Sequence, residues 1–543
     1  MHSPAMVRCA AAALGGLLLS MAFAPAEMAG AAWVAPGLIL FCALGTKGPA
    51  AFRVGFVGGF AHFLSSLYWL LAMPFTWHGI PLAPGLAWIS LSAYCALFFG
   101  AWVWFCWKTF PGNIAAPEWS FLAVTDEFLA VPVLKRAVWA LLCAAAFTAL
   151  EYTRGLFLSG FPWNFLGVSQ YRLLPVIQIA SITGVYGVTF LIVWFSVAIG
   201  ATMLVLVRKP SVQRVWYDSA LPLLTLAVVT SFGMTKCMAI PTPARQAKVA
   251  LVQPSIPQTL IFDPNADAQR FQDVLDLSKK ALETDPDILV WPESAVPVLS
   301  VDNQHAIGSL ITNHPVWLIF CADSSDILPN GATAIYNSSF LVSPKGRVEG
   351  IYHKRRLVIF GEYIPLVRWL PFLRWLSPVG EGFTPGERTS EFNMTNLDVK
   401  TSTLICFEDA FPQEARLHVD ADTDFLINLT NDGWFGDGPE QKQHAEMAVF
   451  RAVENGVPLV RCTNNGLTCW IDAQGRIRQM LQTGSSIYAA GFIAPDIPLR
   501  AAGAGQTFYN LHGDCFGWGC CGATLLLGVR TAGQACRKRL DLP

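Results

Sequence analysis

The chain has 543 residues, 53% of them hydrophobic and only 14% charged, with a formal net charge of -1. This balance argues against a purely soluble protein, and the lack of any long basic run argues against nucleic acid, whose phosphates demand clustered Lys and Arg. The 14 cysteines form no paired C-x-x-C framework and have no His at metal-ligand spacing, so no disulfide scaffold, metal site or cofactor is expected.

In chain order, apolar runs come first: Cys9 to Ala24, Ala31 to Leu44, Val54 to Ala72, Gly85 to Trp107, Val138 to Leu150, Leu173 to Val207 and Ala220 to Met234. Crossing a bilayer takes about 20 apolar residues, so the longer runs suffice alone and the shorter ones need their flanks. Arg8 and the Ala/Leu stretch after it would also suit a signal peptide, but the runs that follow favour a retained helix. An eighth run, Phe516 to Val529, precedes a basic tail. Arg8, Lys47 with Arg53, Lys135 with Arg136, Arg208 with Lys209 and Arg214, and Arg537 to Arg539 fall in alternate loops, which places those loops in the cytoplasm. The expected division is residues 1–240 for seven membrane helices, 241–500 for an extracytoplasmic catalytic domain, and 501–543 for the last helix and tail.

Between the seventh and eighth runs the texture changes. Val249 to Gln253, Ile288 to Trp291, Ser338 to Val342 and Thr403 to Cys406 read as buried strands, while Phe271 to Glu283 and Gln443 to Glu454 carry helical spacing. Ser343 to Gly346 and Asp472 to Gly475 read as hairpin turns. A layered α/β domain is expected.

Three segments end an apolar strand with a reactive side chain: Leu289 to Glu293, Ile351 to Lys354, and Leu404 to Glu408. A thiol attacks a carbonyl carbon as thiolate, so Cys406 needs a base, and Glu293 is the candidate. Lys354 and the Phe407 backbone N–H suit stabilisation of the oxyanion that follows. Each residue taken singly reads as core filler or surface charge; the joint order of Glu, Lys and Cys is what carries the chemistry.

This order resembles the nitrilase, or carbon–nitrogen hydrolase, superfamily, and implies an αββα sandwich whose Glu-Lys-Cys triad is Glu293, Lys354 and Cys406. The membrane part narrows the resemblance. Glu151 to Gly155 leads into Gly160-Phe161-Pro162-Trp163-Asn164 and Gly167 to Gln170; with Gln253 to Gln258, Phe360-Gly361-Glu362, Asn431 to Gly436 and Thr463 to Gly466, the chain resembles the apolipoprotein N-acyltransferase family. The fold implied is a polytopic α-helical membrane bundle of about eight helices plus the nitrilase-like sandwich. The resemblance implies ping-pong transfer of a fatty acyl chain from a phospholipid donor, through a Cys406 thioester, to the α-amino group of a diacylated lipoprotein. It places the protein in a bacterial inner membrane with the catalytic domain on the periplasmic side. It also makes Glu362 a second active-site carboxylate, with a structural partner of Lys354 as the plainer reading. Departures from the pattern are Ile359 in place of proline, Phe407 in place of tyrosine and Phe262 in place of tryptophan.

Other positions are open between two readings. Glu408, two residues past the nucleophile, points to the same side of a continuing strand as Cys406, where it tunes the thiol or anchors the turn. Trp434, in a Gly-flanked loop, suits a lid or a lipid contact, with core packing as the alternative; Phe262 and Trp163 are further substrate or lid candidates, the stretch around Trp163 supporting the catalytic domain or shaping a lipid portal. His444 reads as a structural hydrogen-bonder. Glu151 and Arg154, three apart, share a helix face and read as a mutual pair. The rival enzyme is a membrane-tethered amidase that resolves its thioester with water. A transporter or scaffold bearing a dead nitrilase domain is the non-enzymatic rival, opposed by the intact triad.

Overall fold

The computed structural model describes residues 4–73, 83–112, 121–208, 212–238, 245–296, 299–329, 331–367, 369–371, 382–501 and 503–540. Lys209 lies outside them, as do part of the 111–136 loop and the side chains of Arg214 and Arg537 to Arg539. The chain folds as two compact units: Met1–Tyr68, Leu86–Met238 and His512–Pro543 in one, Trp69–Gly85 and Ala239–Leu511 in the other.

The first unit is helical. Among the described residues, four helices are long and apolar enough to cross a membrane: Pro84–Thr109, Val133–Arg154, Val185–Arg208 and Asp218–Met238. Shorter apolar helices occupy Pro4–Ser20, Ala29–Phe41, Leu174–Thr183 and Cys515–Val529. The run Leu173 to Val207 is not one helix, because Gly184 at φ +66° cannot continue a right-handed turn and separates Ala180–Thr183 from Val185–Arg208. The helices Pro4–Ser20 and Gly48–Ser66 touch backbone to backbone: a Cβ on Gly16 would sit 2.0 Å from the Gly58 carbonyl oxygen. Small residues allow such approach where lipid supplies no hydrophobic drive between helices.

Arg136, Asp218, Glu151 and Arg154, buried in this unit, meet opposite charges, as low dielectric favours, whereas buried Arg8 donates to the carbonyls of Cys42 and Leu44. Arg136 Nη2 lies 2.7 Å from Asp218 Oδ2. Arg154 Nη2 is 3.8 Å from Glu151 Oε1, so the expected pair forms. Glu151 also accepts from the Leu166 N–H at 2.7 Å and the Thr189 hydroxyl at 2.6 Å, and Arg154 donates to the carbonyls of Phe161 and Trp163 at 2.8 and 2.9 Å. The pair therefore braces the irregular Gly160 to Asn164 segment against the helices.

The second unit contains β1 (Gln246–Gln253), β2 (Ile288–Val290), β3 (Trp317–Ile327), β4 (Thr333–Val342), β5 (Val348–His353), β6 (Glu391–Met394), β7 (Val399–Ile405), β8 (Phe425–Thr430), β9 (Leu459–Thr463), β10 (Cys469–Ile471), β11 (Ile477–Met480), β12 (Gly491–Ile493) and β13 (Asp496–Pro498). One sheet runs β12-β1-β2-β3-β4-β5, with β13 also on β1, and the other runs β11-β10-β9-β8-β7-β6. Each has a parallel centre, β1-β2-β3 and β7-β8-β9, flanked by antiparallel hairpins. The expected turns Ser343 to Gly346 and Asp472 to Gly475 connect β4 to β5 and β10 to β11.

Parallel strands buried on both faces read as unbroken apolar runs, and β1 is an instance. Val249 and Leu251 join Val290, Ile319, Ile405, Ile427, Leu429 and Val460 in the core between the sheets. Ala250 and Val252 face the other way, packing with Phe271, Val274 and Leu310 of the helices Asp267–Leu282 and Val301–Asn313. The helix Glu440–Asn455 covers β9 of the second sheet, completing four layers, αββα. The C-terminal ends of β2, β5 and β7 lie at one end of this sandwich, where layered α/β folds present their chemistry.

Candidate active site

β2 ends at Val290, and Trp291-Pro292 carry the chain to Glu293. β5 ends at His353, and the Lys354 N–H extends the ladder by donating to the Asn337 carbonyl at 2.8 Å. Lys354 Nζ, 1% exposed, donates to Glu362 Oε1 at 2.8 Å and to Glu293 Oε1 at 3.5 Å. The Asn337 amide bridges the same two carboxylates, donating to Glu293 Oε1 at 2.8 Å and Glu362 Oε1 at 3.2 Å. Backbone donors take the remaining oxygens: Asn431 N–H to Glu293 Oε2 at 3.1 Å and Val358 N–H to Glu362 Oε2 at 2.8 Å. Both carboxylates are thus held in fixed orientation. Burial lowers the Lys354 affinity for its proton, but Glu362 and Glu293 outweigh it and hold the ammonium well above its ordinary range.

Cys406 departs from the expectation that β7 carries it. The strand stops at Ile405, and Cys406 opens a 3-10 turn, Cys406–Ala410, with φ +55°. A non-glycine residue in this region costs of order 1–3 kcal/mol and persists only where its surroundings impose it. Asn428, at the middle of β8, donates to the Cys406 carbonyl at 2.8 Å. Burial and then Glu293 push the thiol well above its ordinary range, with Lys354 opposing. The resting thiol therefore keeps its proton until a base removes it.

Glu408 is likewise not on a continuing strand, because the chain has already turned. Its buried carboxylate points back, accepting from the N–H groups of Ile405 at 2.8 Å, Arg355 at 2.7 Å and Arg356 at 2.9 Å, and from the Tyr352 hydroxyl at 2.9 Å. It ties the turn carrying Cys406 to the segment carrying Lys354. Phe407 lies at the same place, its ring centroid 5.8 Å from Lys354 Nζ, packed edge-on against Phe411.

The aromatic candidates divide. Phe262, 60% exposed, sits against the partly buried Trp434 with centroids 5.4 Å apart, which makes an apolar surface patch on this unit. Trp163 belongs to the helical unit, where it is buried and lies parallel to Phe161. Asn337 carries no signal in the sequence, since within Tyr336-Asn337-Ser338-Ser339 its amide resembles any polar strand residue.

One buried group brings three potential metal-donor atoms within 4.8 Å of one another: those of Asp432, Glu440 and His444. Both His444 nitrogens already contact aspartates, Nδ1 to Asp432 at 2.9 Å and Nε2 to Asp409 at 2.6 Å, and the Arg461 guanidinium contacts both aspartates. A cation there would displace bonds already made and meet a fixed positive charge, so the group is an internal ion network.

A two-sheet αββα sandwich with a carboxylate, a lysine and a cysteine at its strand ends, carried on a chain with apolar membrane-length helices, defines a membrane protein of the carbon–nitrogen hydrolase class. A family model described as carbon-nitrogen hydrolase matches residues 248–491, and one described as the apolipoprotein N-acyltransferase N-terminal domain matches residues 15–198. The apolipoprotein N-acyltransferase of Geobacter metallireducens is 36% identical over 517 residues, covering 94% of this chain and 92% of its own. That of Rhodopseudomonas palustris is 31% identical over 527 residues, covering 92% of each. Among solved structures, an amidase from Nesterenkonia sp. aligns over 48% of this chain and 93% of its own, at 17% identity and a TM-score of 0.36. The chain belongs to the apolipoprotein N-acyltransferase family.

Proposed function

We propose that this protein moves a fatty acyl chain from a phospholipid to the α-amino group of the diacylglyceryl-cysteine of a lipoprotein, through a thioester on Cys406. The observation that carries this reading is the Lys354 ammonium held between two fixed carboxylates beside a turned-out cysteine. In the first half-reaction Glu293 takes the thiol proton as sulfur attacks the ester carbonyl. The oxyanion is met by Lys354 and the Phe407 N–H, and its collapse expels the lysophospholipid alkoxide, which regains the proton from Glu293. In the second, the lipoprotein amine attacks the thioester, Glu293 accepts the amine proton and passes it to the departing sulfur. The amide product and free Cys406 result. Glu362 orients Lys354, Glu408 fixes the nucleophile turn, and Phe262 with Trp434 offers a surface for acyl chains.

In this reading residues 241–500 form the catalytic domain, on the periplasmic side of a bacterial inner membrane. Residues 1–240 and 501–543 hold it at the bilayer, where both lipid substrates reside. A covalent intermediate suits two bulky lipids that must visit one site in turn. The test is purified protein with a radiolabelled phospholipid and a diacylated lipopeptide. Label in a hydroxylamine-resistant amide on the peptide supports transfer; label released as free fatty acid, whether or not peptide is present, identifies an amidase-like hydrolase instead.

A further inference from the structure

The buried charges that the proposed chemistry leaves unused gather behind the nucleophile turn. His444, on the helix Glu440–Asn455, has Nε2 2.6 Å from Asp409 Oδ1 and Nδ1 2.9 Å from Asp432 Oδ1. Arg461, on β9, reaches the other oxygen of each carboxylate, contacting Asp409 Oδ2 and lying 3.2 Å from Asp432 Oδ2. Two cations and two anions close a ring, every member 2% exposed or less. Glu440, one turn earlier on the helix, is 3.9 Å from His444 Nδ1, and burial and then Asp432 push its carboxyl well above the ordinary range. The Cys469 thiol on β10 also faces Arg461.

A neutral imidazole donates from one nitrogen only, and a carboxylate stands at each of these two, so both donate and the imidazole is charged. Burial opposes that charge, and Arg461 adds to the opposition, but Asp409 and Asp432 raise His444 to about 10. Buried ion pairs are poor sources of net stability compared with apolar packing, which points to what the ring holds in place. Asp409 is the third residue after Cys406, on the same turn. Asp432 follows Asn431, whose N–H holds Glu293 Oε2. The Thr430 hydroxyl and the Gln441 amide fix Asp432 further, at 2.9 Å to its Oδ1 and 3.0 Å to its carbonyl.

We propose that His444 and Arg461 are positioning residues for acyl transfer, clamping the Cys406 turn through Asp409 and the Glu293-binding loop through Asp432, so that nucleophile and base stay in register. The inference rests on Glu293 serving Cys406 as base. Displacements of about 1 Å by residues remote from the reacting atoms can cost roughly a hundredfold in rate.

The test measures thioester formation without acceptor, as a function of pH, on the full-length protein in detergent with dipalmitoyl phosphatidylethanolamine and phosphatidylglycerol in equal amounts. Wild type must acylate; if it does not, the functional reading fails and not the clamp. His444→Gln is expected to lower the maximal rate roughly ten- to a hundredfold with half-saturation by phospholipid unchanged. Its acid limb should move up by about one pH unit, because a loop released at Asp432 no longer holds the Asn431 N–H on the carboxylate that serves as base. Arg461→Lys, which keeps the charge and loses the fork to both aspartates, should move both in the same direction by less. A folded His444→Gln protein with unchanged rate and acid limb overturns the proposal. So does a rate that falls only with the folded fraction while the acid limb stays put, since that is a purely structural role. If His444→Gln does not fold, the same two outcomes are read from Arg461→Lys.

Discussion

A thiol pushed upward by burial and by Glu293 cannot rest as a thiolate, so its attack must be coupled to proton removal. On this account Glu293→Gln abolishes thioester formation, and Lys354→Met lowers it about 10²- to 10³-fold, the usual cost of losing one oxyanion donor, both read by single-turnover acylation. His444 yields a stability prediction. Its folded value, about 10, lies above the ordinary 6.5, so its contribution is complete below pH 6.5 and is lost as pH rises toward 10. Melting temperature should fall across that window in wild type, and the fall should be shallower in His444→Gln. Glu293, Lys354 and Cys406 are legible in the sequence through their joint order, each closing an apolar run, since singly each reads as core filler or surface charge. Asn337 does not, because the two carboxylates that it bridges lie 44 residues before and 25 after it.

At the scale of elements, the turn at Cys406 is where sequence and structure part. Alternation along Thr403 to Glu408 suggests a strand that continues, yet the chain reverses at Cys406 because the Glu408 carboxylate folds back onto three backbone N–H groups and the Tyr352 hydroxyl. Two of those donors belong to Arg355 and Arg356, some 50 residues away in sequence, which local patterning does not reveal. Glu408→Ala should destabilise the second unit by about 3 kcal/mol, since it orphans buried donors, and should slow acylation beyond what that loss accounts for. Denaturant titration alongside acylation rate measures both. In the helical unit, spacing alone was enough to pair Glu151 with Arg154. The further bonds to Leu166, Thr189, Phe161 and Trp163 depend on how the intervening segment folds. Glu151→Ala should cost about 3–5 kcal/mol, because it leaves a buried guanidinium without its carboxylate, and thermal unfolding in detergent tests this.

At the scale of the whole molecule, the strand-rich texture after position 245 and the apolar runs before it were legible because a two-sided buried sheet and a lipid-facing helix impose different apolar patterns. The place of Trp69 was not. Its run reads as part of a membrane helix, yet its indole N–H donates to Gln443 Oε1 at 3.1 Å within the second unit. Basic residues in alternate loops predict that a phosphatase reporter fused after Arg500 is active outside the cytoplasm, and that one fused after Arg208 is not. The proposed chemistry turns on Cys406 carrying the acyl group between two lipids. Intact mass of wild type and Cys406→Ser after incubation with phospholipid and no acceptor tests it most directly. An acyl mass is expected on wild type alone, removed by neutral hydroxylamine. Folded wild type without an adduct, or an adduct that survives in Cys406→Ser, would contradict it.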